Sequence, residues 1–243
     1  MDTLLNNLLH NNLAIYFVSA LGGLLGLAFS YNTVGKIIRI LRTPTSEIGS
    51  LQLDEQVEII GKADSETTVT SPITKKNCVL WQVEVSEKRS SGKSSHWVTV
   101  YKNTSTSPFD IYDGTGKVRI YPDRLTELIL RDDVRRTSGI FTSLDEQVET
   151  ALKDLGIDTK GFWNFNKNMR VHERYIEQGD QIYVLGKAFY KNGTRMMDGE
   201  SSPLIVSDQS ELRLLGRFFW QVVSNALIGV VFGVGLFLYF TNR

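Results

Sequence analysis

The C-terminal stretch of this chain sets the first limit on its fold. Phe218 to Phe240 reads "FFWQVVSNALIGVVFGVGLFLYF" without a single charge. As a helix rising about 1.5 Å per residue it is long enough to cross the hydrocarbon core of a bilayer, about 30 Å thick. Trp220 and Tyr239 lie near its ends, where amphipathic aromatics sit at the interface. A second uncharged run, "LAIYFVSALGGLLGLAFS" from Leu13 to Ser30, would reach about 27 Å. It reads as a retained anchor, because a signal peptide wants a basic segment first and the early charge here is Asp2. The sequence therefore predicts a tail over 1–12, a transmembrane helix over 13–34 and a basic juxtamembrane linker over 35–46. A β domain over 47–210 follows, then a juxtamembrane helix over 211–217 and a second transmembrane helix over 218–240.

Lys36, Arg39 and Arg42 follow the first span, and Arg213 and Arg217 precede the second. The positive-inside rule then predicts a multi-pass protein of the cell membrane, with the middle domain in the cytoplasm and both termini on the opposite side. Within the second span Gln221, Asn225, Gly229 and Gly233 recur every four residues, and the first span offers Gly22 and Gly26. Small and polar residues at this spacing suit close packing of membrane helices, within one chain or between copies. No ionisable residue lies inside either span, which argues against an ion pathway.

Between the anchors, short apolar runs bounded by Gly, Pro, Asn and Ser read as strands. At least eight are expected: 57–63, 78–85, 97–103, 109–112, 117–121, 171–176, 181–190 and 204–206. Turns are announced at Asp113-Gly114, Gly179-Asp180 and Asn192-Gly193. One helix is expected at 144–155, with Ser143 and Glu146 at capping-box spacing and Gly156 at the C-terminal cap. A shorter helical turn is expected at 124–130, and Asp208 with Glu211 should cap the final helix. "EQVEIIGKA" (Glu55 to Ala63) returns as "DQIYVLGKA" (Asp180 to Ala188), each copy followed by a Ser-Pro, at 71–72 and 202–203. This favours duplication of a small β unit over chance, with the two units sharing one core. The fold class is mainly β (α+β): a barrel-like or sandwich domain with one inserted helix, flanked by two transmembrane helices.

Candidate chemistry is sparse. Lys plus Arg and Asp plus Glu number 27 each, so no net field draws the chain to nucleic acid. One cysteine, Cys78, and three histidines do not make a structural zinc site, so no metal and no cofactor is expected. Cys78 reads as a buried small hydrophobe. Gly92-Lys93-Ser94 lacks the earlier glycine of a phosphate loop, because Glu87 stands there, and fits a hairpin tip instead. In "RVHERY", His172 and Glu173 should face opposite sides of a strand, with Glu173 in a structural ion pair.

Taken in order, Gly61 with Ala63, Ser71-Pro72, Cys78, Pro108-Phe109 with Asp113 and Gly116, Glu173, Gly179-Asp180 with "VLGKA", and Ser207 with Ser210-Glu211 resemble the GIDE (beside-a-membrane) domain family. That family includes prokaryotic relatives of a mitochondrial membrane-anchored E3 ubiquitin ligase. In the eukaryotic relatives a zinc-binding RING domain follows the second anchor; here Thr241-Asn242-Arg243 follow it. The resemblance thus implies a RING-less relative without ligase chemistry of its own.

The expected function is a two-pass membrane protein whose β domain binds another membrane or cytoplasmic protein, or senses a ligand, at the bilayer surface. One alternative is a hydrolase or transferase drawing on Glu173, His172 and Asp113. Another is a membrane-organising homo-oligomer built through Gly229 and Gly233.

Overall fold

The computed structural model describes residues 20–26, 28–92, 94–139, 141–161, 165–191, 193–200 and 202–241. The predicted tail over 1–12, the start of the first span and Asn192 lie outside the described residues. Two compact units result: Met1–Thr43 with Glu211–Arg243, and Pro44–Ser210.

In the second unit, β1 (Gln56–Asp64), β6 (Phe109–Tyr112), β7 (Lys117–Ile120), β12 (Thr194–Met197) and β11 (Gln181–Lys191) pair in that order. The sheet closes as a five-stranded barrel because β11 also pairs with β1. β13 (Ile205–Ser207) and β8 (Glu127–Ile129) extend the sheet beside β11. Closure leaves no free edge around the barrel, which is how a sheet this small hides its backbone. Val57, Ile59, Phe109, Ile111, Val118, Ile120, Ile182 and Val184 fill the interior.

The two copies of the repeat are the closing pair of that barrel. They run antiparallel with Ile59 opposite Val184, its own equivalent, so a local two-fold passes between them. The inward positions match across it: Val57 and Ile182, Ile59 and Val184, Gly61 and Gly186, Ala63 and Ala188. A Cβ on Gly61 would lie 2.6 Å from Ile111 Cγ2 and 2.7 Å from the Tyr112 carbonyl oxygen; on Gly186 it would lie 2.5 Å from Leu204 Cδ1. The glycines are therefore fixed by close approach. Even the entry turns agree, since Asp54 (φ 65) and Gly179 (φ 91) hold equivalent left-handed positions. The one mismatch of character, Glu58 against Tyr183, is a buried hydrogen bond: the Tyr183 hydroxyl donates to Glu58 Oε2 at 2.8 Å, and Thr45 Oγ1 donates to Oε1 at 2.6 Å.

The same unit holds a second sheet in the order β5 (Ser94–Thr104), β4 (Leu80–Ser91), β10 (Met169–Ile176), β9 (Val134–Thr137). A small ribbon of β2 (Val69–Thr70) and β3 (Asn77–Cys78) stands apart. One face of the four-stranded sheet carries Val83, Val85, Met169 and Val171, against which a helix lays Val148, Ala151 and Leu152. That helix is shorter than predicted, 146–154, and has no capping box: its N-cap is Asp145, whose carboxylate accepts from Arg136 Nε at 3.0 Å. Its C-terminus does end at Gly156 (φ 75), whose amide donates to the Lys153 carbonyl.

Other expectations need correction. The turn expected at 124–130 is a 3₁₀ turn at Pro122–Arg124 followed by β8, because pairing with β13 outweighs local helix preference. The Asp208 carboxylate takes the backbone amide and Nε of Arg131. β9 and β12 lack any long apolar run and were not expected as strands. β4 and β5 run to Ser91 and Ser94, so the polar hairpin is paired almost to its tip at Gly92 (φ 60).

In the first unit, α1 (Tyr31–Arg42) replaces most of the predicted linker. Val34, Ile37, Ile38 and Leu41 recur at helical spacing with Lys36 and Arg39 between them, and Pro44 lies just beyond the end. A helical segment over Ala20–Gly26 meets α1 at a bend of 61°. α2 is the helix Glu146–Asp154 described above, and α3 runs from Glu211 to Thr241. Only α3 is by itself long and apolar enough to cross a membrane among the described residues; its span is Glu211–Gly235 with mean hydropathy 1.6.

Candidate functional site

β10 carries two of the three residues singled out for chemistry, and it turns them apart. Glu173 lies on the inner face with 0 % exposure. Its carboxylate accepts the backbone amides of Ile73 at 2.8 Å and Thr74 at 3.0 Å, together with the Thr74 hydroxyl. The expected ion pair is thus replaced by donors from a tight turn, which Glu173 pins to the sheet. A buried carboxylate needs such donors, and all three come from the loop carrying the first Ser-Pro. Near it, Cys78 is buried and gives its thiol hydrogen to the Val69 carbonyl. Burial first, and then the negative charge of Glu173, pushes that thiol up to about 11. Few thiolates form at neutral pH, so Cys78 is packing rather than a nucleophile.

His172 faces outward. Its Nδ1 lies 2.7 Å from Asp132 Oδ2, while Asp132 Oδ1 accepts Arg174 Nε at 2.8 Å. Arg174 Nη1 continues to Gln82 Oε1 at 3.1 Å and lies 3.6 Å from Glu84. Two positions along, the Arg170 guanidinium stacks 3.8 Å from the centre of the Trp97 ring. This chain of charges ties β4, β5 and β10 to the segment before β9. Asp132 divides its two oxygens between a histidine and an arginine, and the pair is not aimed at a hydroxyl or thiol.

Asp113 belongs to the barrel, in the β6–β7 hairpin. It accepts the Ile48 amide at 2.7 Å, the Thr115 amide and hydroxyl at 2.8 and 2.7 Å, and the Gly116 amide at 3.1 Å. Burial works to raise its pKa, but these hydrogen bonds, led by Ile48, hold it below the ordinary carboxylate range. The three residues therefore do not form one site. One closes a barrel hairpin, one anchors a loop, and one joins a surface network.

Apart from the β2–β3 ribbon, three strands among the described residues end a sheet in this unit, β5, β9 and β8, and β5 offers the longest edge. β5 pairs with β4 on either side of a bulge at Val100 and, among the described residues, pairs with nothing on its other side. Its eleven residues are mostly exposed, and Val100 is 37 % exposed. The bulge divides the outer row of unpaired amides and carbonyls into Ser94–Thr99 and Tyr101–Thr104, and a row of either length is a template for another strand. The alternation in "HWVTVY" made the strand legible, but its place at the edge depends on pairing order, for which the sequence holds no local signal.

In the unit that contains α3, the small residues meet. A Cβ on Gly22 would fall 2.2 Å from the Gly229 carbonyl oxygen and 3.5 Å from Gly233 Cα; on Gly26 it would fall 2.3 Å from the Asn225 carbonyl oxygen. Asn225 Nδ2 donates to Ser30 Oγ at 3.0 Å, and that hydroxyl donates to the Gly26 carbonyl at 3.1 Å. Gln221 is exposed and lies off this contact. At Gly22 and Gly229 the two backbones touch where neither carries a side chain, and at Gly26 a glycine lies against the Asn225 backbone, as close helix crossings require.

Comparison with known families decides where the chain belongs. A family model described as GIDE, E3 ubiquitin ligase, matches residues 82–238. The chain belongs to the GIDE family. That match takes in the GIDE strands from β4 onward and most of α3, so β1 and the first copy of the repeat lie upstream of it while the second copy lies inside. No curated protein and no solved structure matches this GIDE chain. Among the described residues, no group of His, Cys, Asp and Glu could hold a metal ion.

Proposed function

We propose that this GIDE-family chain is a membrane-anchored docking protein, held by α3 and the N-terminal apolar segment, whose β domain binds another protein by strand addition at β5. The observation that carries the reading is the unpaired eleven-residue edge of β5. The three residues singled out for chemistry are already occupied: Glu173 by the Ile73–Thr74 turn, Asp113 by its hairpin, His172 by Asp132. Strand addition supplies main-chain hydrogen bonds for affinity and alternate side-chain contacts for specificity.

In this reading the chain has no ubiquitin-ligase chemistry of its own. The paired zinc ions of a RING take about eight Cys and His ligands, and the sequence has one cysteine and three histidines. The basic residues Lys36, Arg39, Arg42, Arg213 and Arg217 support a cytoplasmic domain at the cell membrane, where the partner is a membrane or cytoplasmic protein. An oligomer built through the glycines is disfavoured, because Gly22 and Gly229 already pack together within one chain.

The test is a photo-crosslinking amino acid placed at Val100 in the full chain, with Glu66 as a control position. A discrete adduct from position 100, absent at 66 and displaced when Val98 and Thr99 become lysine, supports strand addition. Equal labelling at both positions, or none at 100, rejects it. Reporter fusions at both termini check the topology, and a cytoplasmic signal from either one contradicts it.

A further inference from the structure

At the N-terminal end of β10 three segments of the β domain converge. Lys88 of the β4–β5 hairpin donates its amide to the Asn168 carbonyl at 2.9 Å. Ser138, after β9, donates its amide to the Met169 carbonyl and its hydroxyl to the Lys167 carbonyl, and its oxygen accepts the Met169 amide. The α2–β10 segment folds back on itself, with the Gly161 amide on the Phe165 carbonyl and the Lys167 amide on the Thr159 carbonyl.

Two large apolar side chains stand out from this end into water. Phe141 sits on the tight turn closed by reciprocal bonds between Gly139 and Thr142, and is 94 % exposed; Phe165 is 56 % exposed. Nothing in the fold asks for a phenylalanine at the tip of a turn, where polar residues are the rule. The charge around them is biased. The described residues of 86–97, 135–145 and 156–170 hold seven Lys and Arg against three Asp and Glu, in a chain where the two classes balance at 27 each. Two of those three acids sit in ion pairs, Glu87 with Arg89 and Lys167 and Asp145 with Arg136, and Glu149 of α2 adds a pair with Lys160. The Arg136–Asp145 pair is exposed on both sides, and exposed pairs contribute little.

We propose that this end of the β domain is a lipid-contact surface, in which Phe141 and Phe165 enter the interfacial zone of an anionic bilayer while the surrounding lysines and arginines meet its phosphates. A membrane suits the geometry better than a protein groove does. The aromatics are convex and lie on separate loops, and an interfacial layer accepts such projections without a matching pocket. Attraction of basic side chains to anionic headgroups supplies the second of the two signals that stable peripheral contact needs. The inference is independent of strand addition at β5.

The experiment uses the full chain with F141C, labelled with an environment-sensitive fluorophore. Cys78 is buried with its thiol pushed up to about 11, so the label goes to position 141. The labelled chain is placed in nanodiscs of phosphatidylcholine alone or with a third phosphatidylglycerol, and each preparation is then mixed with phosphatidylglycerol vesicles. The expected result is blue-shifted emission, quenched by brominated acyl chains, wherever anionic lipid is present, and lost in high salt. Water-like emission under every condition overturns the proposal and turns the aromatics over to a protein partner. Equal shifts in neutral and anionic lipid overturn the anionic selectivity. The double variant F141S/F165S, still folded by circular dichroism, should bind the anionic vesicles about tenfold more weakly or worse; unchanged binding also rejects the surface.

Discussion

The barrel and the four-stranded sheet share one unit but solve the edge problem in opposite ways. The barrel closes on itself through β1 and β11, and every strand in it finds partners on both sides. The four-stranded sheet covers one face with α2 and leaves β5 open along its outer edge. Closure brings tolerance of nothing bulky at the seam, whereas openness brings a surface that can change without loss of fold. The difference gives the barrel the architectural role, and the proposed recognition falls to the sheet.

The sharpest way to break that comparison is at the seam. Gly61→Val should destabilise the domain by more than about 3 kcal/mol, because the new side chain meets the Tyr112 carbonyl and backbone cannot step aside. Gly186→Val meets Leu204 Cδ1 and Met197 Cε first, both side chains, and should cost less. Urea titration followed by circular dichroism measures both. Equal, small losses would mean that the seam is looser than its contacts imply.

The next largest effect tests whether the sheet has a structural keystone of its own. Glu173→Ala removes the acceptor from two amides and a hydroxyl, and should cost about 3 kcal/mol. The ribbon loop at 71–74 should lose hydrogen-exchange protection before the barrel does. Loss of both at once would make the sheet and barrel a single cooperative unit.

These two sites also mark what the sequence disclosed. The repeat was legible because a two-fold related seam requires the same inward residues twice: Gly61 and Gly186, Ala63 and Ala188. The eight strands expected from alternation are present, and burial of Cys78 follows from its apolar strand. What could not be read depends on who pairs with whom. β8 and β9 are strands of only three and four residues stabilised by neighbours far along the chain, and α1 was hidden inside a segment read only for its charges. The donors on Glu173 come from a residue pair a hundred positions away, so its burial was foreseeable and its partners were not. The open edge of β5 belongs to the same class.

A smaller effect probes the two-fold within the barrel. Asp54 and Gly179 occupy equivalent left-handed positions ahead of β1 and β11. Gly179→Ala forces a Cβ into that region and should cost about 1 kcal/mol, while Asp54→Gly should lie within about 0.5 kcal/mol of neutral, with relief of strain offset by a more flexible unfolded chain. Thermal melts of the pair would show whether the turns are equivalent in energy as well as in shape. A costly D54G would mean that the aspartate side chain does more than tolerate its backbone.

The smallest expected change in stability carries the largest functional consequence. Val100 lies on the open edge, is 37 % exposed, and packs in neither hydrophobic core cluster. Val100→Lys should shift stability by less than about 0.5 kcal/mol, since an exposed edge position makes little use of its side chain in the free protein. A lysine on an edge strand is nevertheless a common device for refusing another strand, because an added partner would have to bury or displace the charge. The variant should therefore keep its melting curve and lose its crosslinked partner. A partner retained at full yield would move recognition away from the edge, and a collapsed melting curve would show that β5 holds the sheet together rather than offering it.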